Sequence, residues 1–405
     1  MGAWKATTSL HESVERSARI LFDYCKKNDW AGFDPYDALN SRLFAITPFS
    51  RSKICRILFT QIMKRLPVNI RPLLSVPKGQ NPKAIALFLA GGIKLSRLGL
   101  LDQVENHIGV MTERLVSLRS EKTPYWSWGY NFPWQTRTIL VPRGTPNLVC
   151  TTFAANALLD AYEASRESRY LNMAASAAEY ILNELYWTDG GSVSCFAYPL
   201  PSSRTKVHNA NFLGSALLCR VYRLCGDEKF IEPALKVARY SASMQQDDGS
   251  WYYGELPTQR WIDNFHTGYN LCALKSLSQS SGTSEFAPNI NSGFNFYKEH
   301  FFTEDGAPKY FHDRIYPIDI HSVAQSIITP LTLNDRDMDN IELAYSVFRW
   351  ALQNMWDESG YFHYQIHRYF KIKISYLRWS QSWMLLALST LLEHCDNTAL
   401  GTHGN

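Results

Sequence analysis

Apolar positions along this chain follow two helical signatures. Over residues 170–185 they are Leu171, Ala174, Ala175, Ala178, Ile181, Leu182 and Leu185, a one-sided stripe at the helical period. Residues 230–242 repeat that pattern. A second kind of segment is apolar on most faces, at 148–162, 212–224, 269–277, 323–333 and 383–392. A one-sided stripe predicts an outer helix against a core, and an all-round apolar helix predicts a buried one. Strand patterns are few. The aromatic runs 250–253 and 361–364 predict small β-hairpins in loops, and 365–376 predicts a strand pair or an extended lid.

Six turn-like segments rich in Gly and aromatic residues punctuate these helices. They are DWAGFDPYD from Asp29, YWSWGYNFPW from Tyr125, TDGGSVSCFAYP from Thr188, QDDGSWYYGE from Gln246, TEDGAPKYFHD from Thr303 and DESGYFHYQ from Asp357. The last five recur at roughly 55–60 residues, the span of two helices and two loops. The first gap is near 95 residues, so something extra is inserted there. One helical hairpin cannot cover its own apolar face, so neighbours must stack. The expectation is an all-α fold, an (α/α)6 toroid of six helical hairpins with small β-hairpins in its loops. Residues 1–405 are expected to form a single domain with a basic insertion at about 51–78.

The first turns of five buried helices read PNLVCTTF, HNANFLGS, DNFHTGYN, IDIHSVAQ and LRWSQSWM. Each is polar where a buried helix should become apolar. In a closed ring these turns crowd one funnel and bring together Thr151, Thr152, His208, Asn209, Asn211, Asp263, Asn264, His266, Asp319, His321, Gln325, Arg378 and Gln381. Helix N-termini add partial positive charge and free N–H donors. Asn209, Asp263, Asp319 and Thr145 can each serve as a plain N-cap, worth about 1 kcal/mol. His266 and His321 can be satisfied core histidines. Three or four polar residues per helix exceed what capping needs, which favours a ligand site. Nearby loops add Arg137, Arg143, Arg260, Arg314 and Arg368. His208, Asp263 and His266 also sketch a metal site, at unspecific spacing.

Composition narrows the classes. The aromatic fraction of 14% suits both a large helical core and a cleft whose ring faces stack on sugars. A net charge of +4 is too small to argue for nucleic acid. The 8 Cys contain no C-x-x-C pair and most fall on apolar helix faces, as expected for reduced thiols of a cytoplasmic protein. The N-terminus lacks an apolar leader core, and Ala6 breaks a myristoylation pattern. Residues 84–101 are interrupted by Lys94 and Arg97 and read as a core helix, not a membrane span. Nucleotide, nucleophile-elbow and zinc-protease motifs are absent, so no cofactor is expected.

Helix pairs joined by D-G-G and D-G-S-W turns resemble the (α/α)6 toroids of glycoside hydrolases, polysaccharide lyases and terpenoid cyclases. Gln245 to Trp251, QQDDGSW, is similar to the structural Q-x-x-x-G-x-W repeat of triterpene cyclases, but the cyclases' D-x-D-D acid is missing. Leu377-Arg378-Trp379 resembles the C-terminal toroid of glucuronyl C5-epimerases over about the last 30 residues, although Ser380 and Gln381 replace that family's aromatic and His. The DPYD start and the toroid also resemble proteins of bacterial surface-polysaccharide clusters.

These resemblances imply a carbohydrate-active enzyme working on an acidic, uronate-containing polysaccharide or a lipid-linked glycan. Epimerisation or lysis needs a carboxylate neutraliser, here Arg378 or Arg314 with Asn209 or Asn264. It also needs an acid and a base, for which His266, His321, Tyr269 and Tyr316 are candidates. His208, Asn211, Gln325, Gln381 and Trp251 complete the expected binding set. Inverting glycoside hydrolysis is the alternative, with Asp263 and Asp319 as its carboxyl pair and Glu255 as a third choice. A non-catalytic glycan-binding or scaffold protein is the other.

The segment 51–78 holds Arg51, Lys53, Arg56, Lys64, Arg65, Arg71 and Lys78 and no acidic residue, with Ile54, Ile57, Leu58 and Ile62 at helical spacing. It reads either as an outer helix packing its stripe on the ring or as a peripheral contact at the inner membrane face.

Overall fold

The computed structural model describes residues 10–333 and 337–401, the side chains of 395–401 excepted. The first nine residues and the Cys395 thiol, both used above, lie outside the described residues.

Each inner helix is preceded by an outer one. Outer helices are α1 (Leu10–Lys27), α5 (Val104–Ser117), α7 (Ser168–Tyr180), α9 (Ile231–Ala242), α11 (Ala287–His300) and α13 (Met338–Met355). Inner helices are α4 (Pro82–Arg97), α6 (Leu148–Ser165), α8 (His208–Cys225), α10 (Asn264–Ser281), α12 (Ile320–Thr332) and α14 (Ser382–Gly401). The inner helices pack in the order α4, α6, α8, α10, α12, α14, and α14 packs back on α4, closing the ring. The fold is the expected toroid. The sequence stripes follow its layers: α12 is buried along nearly its whole length, whereas α9 buries one face.

The longer first repeat carries a one-turn helix α2 (Arg42–Ala45) and the basic helix α3 (Lys53–Arg65). Of α3 only Met63 is fully buried, and Phe59 stacks on Phe44 at 4.2 Å. Ile54, Leu58 and Ile62 face solvent, so the apolar stripe does not pack on the ring.

Among the described residues the β structure is small. β1 (Trp134–Gln135) pairs with β2 (Leu140–Val141), β3 (Tyr186–Thr188) with β4 (Ser194–Phe196), and β6 (Trp356–Asp357) with β7 (Tyr361–Phe362). β5 (Ile318–Asp319) joins the predicted strand pair β8 (Gln365–Ile366) and β9 (Lys371–Ile372). The run 250–253 forms no strand. Gly249 turns the chain at φ +90, and Trp251 is drawn into the core, donating its indole N–H to Ser241 O at 3.0 Å. Among the described residues no helix is long and apolar enough to cross a membrane, and Cys25, Cys150, Cys195 and Cys219 are buried free thiols.

Candidate active site

The inner helices start around one cavity of about 310 Å3. Their N-caps fix its polar groups. Asp263 accepts from His266 N at 3.0 Å, Asp319 from His321 N at 2.9 Å and Asn81 from Lys83 N at 3.0 Å. Two expected caps are not used: Asn147 caps α6 instead of Thr145, and α8 starts after Val207 with no side-chain cap. The repeat turns supply the walls. The first segment gives Tyr36, the second Tyr130, Phe132 and Trp134, and the later ones Tyr198, Tyr253 and Tyr310.

One side of the cavity is a carboxylate–imidazole pair. His266 Nδ1 lies 2.7 Å from Asp263 Oδ2, which also accepts the Trp261 indole N–H at 2.9 Å. A carboxylate so held fixes the imidazole with its proton on Nδ1 and leaves Nε2 to the cavity. The ring is packed between Phe265 and Tyr253.

A second set is a chain of three buried groups. Burial raises the Tyr269 phenol well above its ordinary value, so it keeps its proton and donates to His321 Nε2 at 2.5 Å. Burial, and after it the Lys83 and Arg378 charges, lowers His321 well below the usual imidazole range. Lys83 donates to the Tyr269 hydroxyl at 3.4 Å. Its amine sits over the rings of Phe153, Trp383 and Tyr269 at 4.2, 5.0 and 5.2 Å. Burial, then the Arg378 charge, holds its pKa well below that of an ordinary lysine. A charge here has no carboxylate beside it, which is why burial weighs against the protonated amine.

Arg378 closes the third side, on a π-helical turn (Leu377–Gln381) that leads into α14. Its Nη2 donates to Asp34 Oδ1 at 2.7 Å and its Nε to Asp34 Oδ2. Asp37 of the same DPYD segment holds the fully buried Arg71 at 2.7 Å. DPYD is thus an arginine clamp.

Of the residues expected at the site, Asp263, His266, Tyr269, His321, Asn209 and Arg378 line the cavity. The others serve elsewhere. Asp319 lies behind the wall, accepting from Gln365 Nε2 and from the Trp379 indole at 2.8 Å. His208 and Asn211 turn to the Ser241 hydroxyl, and Asn264 donates to Ser326. Gln325 bonds Thr329, Gln381 bonds the Phe362 backbone, Thr151 bonds the Trp128 backbone, and Trp251 is core. Thr152 is buried off the cavity, and Glu255 meets Lys206 at 3.2 Å outside it. Tyr316 and Arg314 sit on an exposed loop, with Arg314 against Asp313. Arg137, Arg143, Arg260 and Arg368 are exposed and line no part of the cavity. No three His, Cys, Asp or Glu among the described residues gather as a metal set.

The sequence reading missed Lys83 and the aromatic walls. Asn81-Pro82-Lys83 is a helix start with an N-cap and Pro at the first position, so aligning the sixth inner helix with the other five would have found the lysine.

With fold and site in hand, comparison with solved structures gives consistent neighbours. Cellobiose 2-epimerase from Bacillus thermoamylovorans is 10% identical, with 78% of this chain and 88% of that one covered at a TM-score of 0.60. The Lin0763 protein from Listeria innocua is 14% identical over 96% of this chain and 98% of its own, at 0.61. A family 76 α-mannanase from Bacteroides thetaiotaomicron is 12% identical over 78% and 86%, at 0.58. These likenesses show the fold, an (α/α)6 toroid. No family profile and no curated protein sequence matches the chain.

Proposed function

We propose that this protein is a carbohydrate-active enzyme that moves a proton on the carbon beside the carbonyl of an open-chain sugar. It acts as an epimerase or isomerase on a neutral mono- or disaccharide. The observation that carries this reading is the Asp263–His266 pair in the same aromatic cavity as the Tyr269–His321–Lys83 chain. His266 Nε2 takes the proton from the substrate carbon. Negative charge then grows on the carbonyl oxygen, where the Lys83 amine, which keeps an N–H beyond the one it gives to the Tyr269 hydroxyl, stabilises it. Return of the proton from His266 after the planar carbon has turned its other face inverts that carbon, and return to the neighbouring carbon, with the hydroxyl proton there passed to the former carbonyl oxygen, isomerises the sugar. The epimerase neighbour supports the reading, because a 2-epimerase inverts the carbon next to the anomeric one.

A neutral sugar is favoured over a uronate because both expected carboxylate neutralisers are engaged, Arg378 by Asp34 and Arg314 by Asp313. Cavity size favours a short substrate, since about 310 Å3 lies at the small end of ligand sites. Proton transfer is favoured over hydrolysis because Asp263 is the sole acid among the described lining residues, whereas hydrolysis needs two carboxyl groups about the bond.

The test is a panel of neutral reducing sugars and uronates incubated in heavy water and read by NMR and mass spectrometry. One deuterium gained beside the carbonyl without cleavage is expected. His266→Asn abolishes it, and Asp263→Asn, which keeps the helix cap but loses the hold on Nδ1–H, lowers it on the order of 10³-fold. Cleavage with uptake of water, or no exchange with any sugar, would overturn the proposal.

A further inference from the structure

From Ala38 to Leu101 the chain contains no Asp or Glu. Several of its bulky apolar side chains outside α4 are turned to solvent. Ile46 is 82% exposed, Ile54 65%, and Leu58 and Ile62 55% each, with Phe49 and Leu73 also open. Ile54, Leu58 and Ile62 are four residues apart and share one face of α3, and the seven-residue spacing of Arg65 from Leu58 puts it on that face, with Arg51 in the turn just before the helix. Arg42, Arg51, Lys53, Arg65 and Lys78 are exposed.

Outside α4, three cations of the segment are already tied to other elements. Arg71 is buried on Asp37, Arg56 donates to Gln135 at 2.8 Å, and Lys64 donates to the Tyr36 hydroxyl at 2.7 Å. The last two tie α3 to the cavity rim, since Tyr36 and Trp134, the neighbour of Gln135, line the cavity. The β8–β9 tip adds to the same surface. It presents Arg368 and an 85% exposed Tyr369, and its His367 imidazole is lowered by burial and by the Arg65 charge.

An apolar stripe in water is unfavourable unless something covers it. A second copy presenting the same face would set cations against cations with no carboxylate to separate them. We propose that this face docks on an anionic lipid bilayer, with the apolar side chains entering the interface, the cations meeting headgroup phosphates and the cavity mouth held at the membrane surface. An amphipathic basic helix and exposed aromatic residues have the chemistry of interfacial binding. The inference stands on this surface alone and is independent of the reaction in the cavity.

The full chain is tested by flotation with vesicles of phosphatidylcholine alone and with about 30% phosphatidylglycerol, at low and high salt. Binding to the anionic vesicles only, weakened by salt, is expected. Ile54→Ser/Leu58→Ser/Ile62→Ser and, separately, Arg51→Glu/Lys53→Glu/Arg65→Glu should each lower the bound fraction about tenfold or more. Both sets are exposed, so the melting temperature should stay at that of the parent. Failure of the parent to bind at low salt would overturn the proposal, and so would undiminished binding of the triple-Ser variant. Dimers that the triple-Ser variant breaks, without vesicle binding, would overturn it in favour of self-association.

Discussion

His208 begins α8 with its Nδ1 3.3 Å from the Ser241 hydroxyl, and burial pushes its pKa down to about 4. A base lowered in the folded state supports stability above its unfolded value near 6.5, and that support is lost as pH falls through 4. The loss is at most about 3 kcal/mol. Asp37 and Asp319, raised to about 6 chiefly by burial, run the other way. Their contribution is complete below about 3.8 and is lost as pH rises through 6. Comparison at each pH isolates the histidine. His208→Gln, which stays neutral, should gain on the parent in urea midpoint between about pH 7 and pH 4. An equal displacement at every pH would refute the assignment. The same scale explains what the sequence revealed of the site. Polar first turns flagged the right helices, but each residue turns 100° from the last, and nothing in the sequence says which face meets the ring axis. Asp263, His266 and Tyr269 face the cavity, while Asn264 looks to Ser326 and Tyr297.

Between elements, closeness is set by residues with little side chain. A Cβ on Gly268 of α10 would lie 2.4 Å from Gln325 Cγ and 2.6 Å from Thr329 Oγ1 of α12. Alanine gains about 1 kcal/mol over glycine inside a helix, but forcing atoms into a packed core costs about 1–3 kcal/mol. Gln325 cannot swing away cheaply, because it is buried and its Nε2 bonds Thr329 at 2.9 Å. Gly268→Ala should therefore lower the melting temperature, and a higher one would show that α10 and α12 have slack. At this scale the sequence was most legible. Helical period and burial are the same physics, so the stripes at 170–185 and the apolar body at 323–333 named their layers correctly. The turn at 250–253 was not legible as such, because a run of adjacent aromatics reads as a strand while Trp251 serves the core.

Across the molecule, the ring must close between parts far apart in sequence. Lys94 of α4 pairs with Glu393 of α14, and Asp34 pairs with Arg378 across 344 positions. A sequence repeat predicts that hairpins stack, but a pairing of that reach leaves no periodic trace, so nothing in DPYD pointed to Arg378. The clamp is costly to cut. Arg378 is buried, packed on Tyr130, Phe132 and Trp379, with the Lys83 amine nearby. Asp34→Asn strands that guanidinium without a counter-charge, and breaking a buried pair on one side costs about 3–5 kcal/mol. Replacing both partners by apolar groups of similar volume removes the charge together with its need for a partner, which is often neutral or stabilising. Asp34→Asn should therefore destabilise strongly in urea, and Asp34→Leu/Arg378→Met should recover most of the loss. If the double variant is as unstable as the single one, the pair acts through its hydrogen-bond geometry, and charge balance is not what closes the ring.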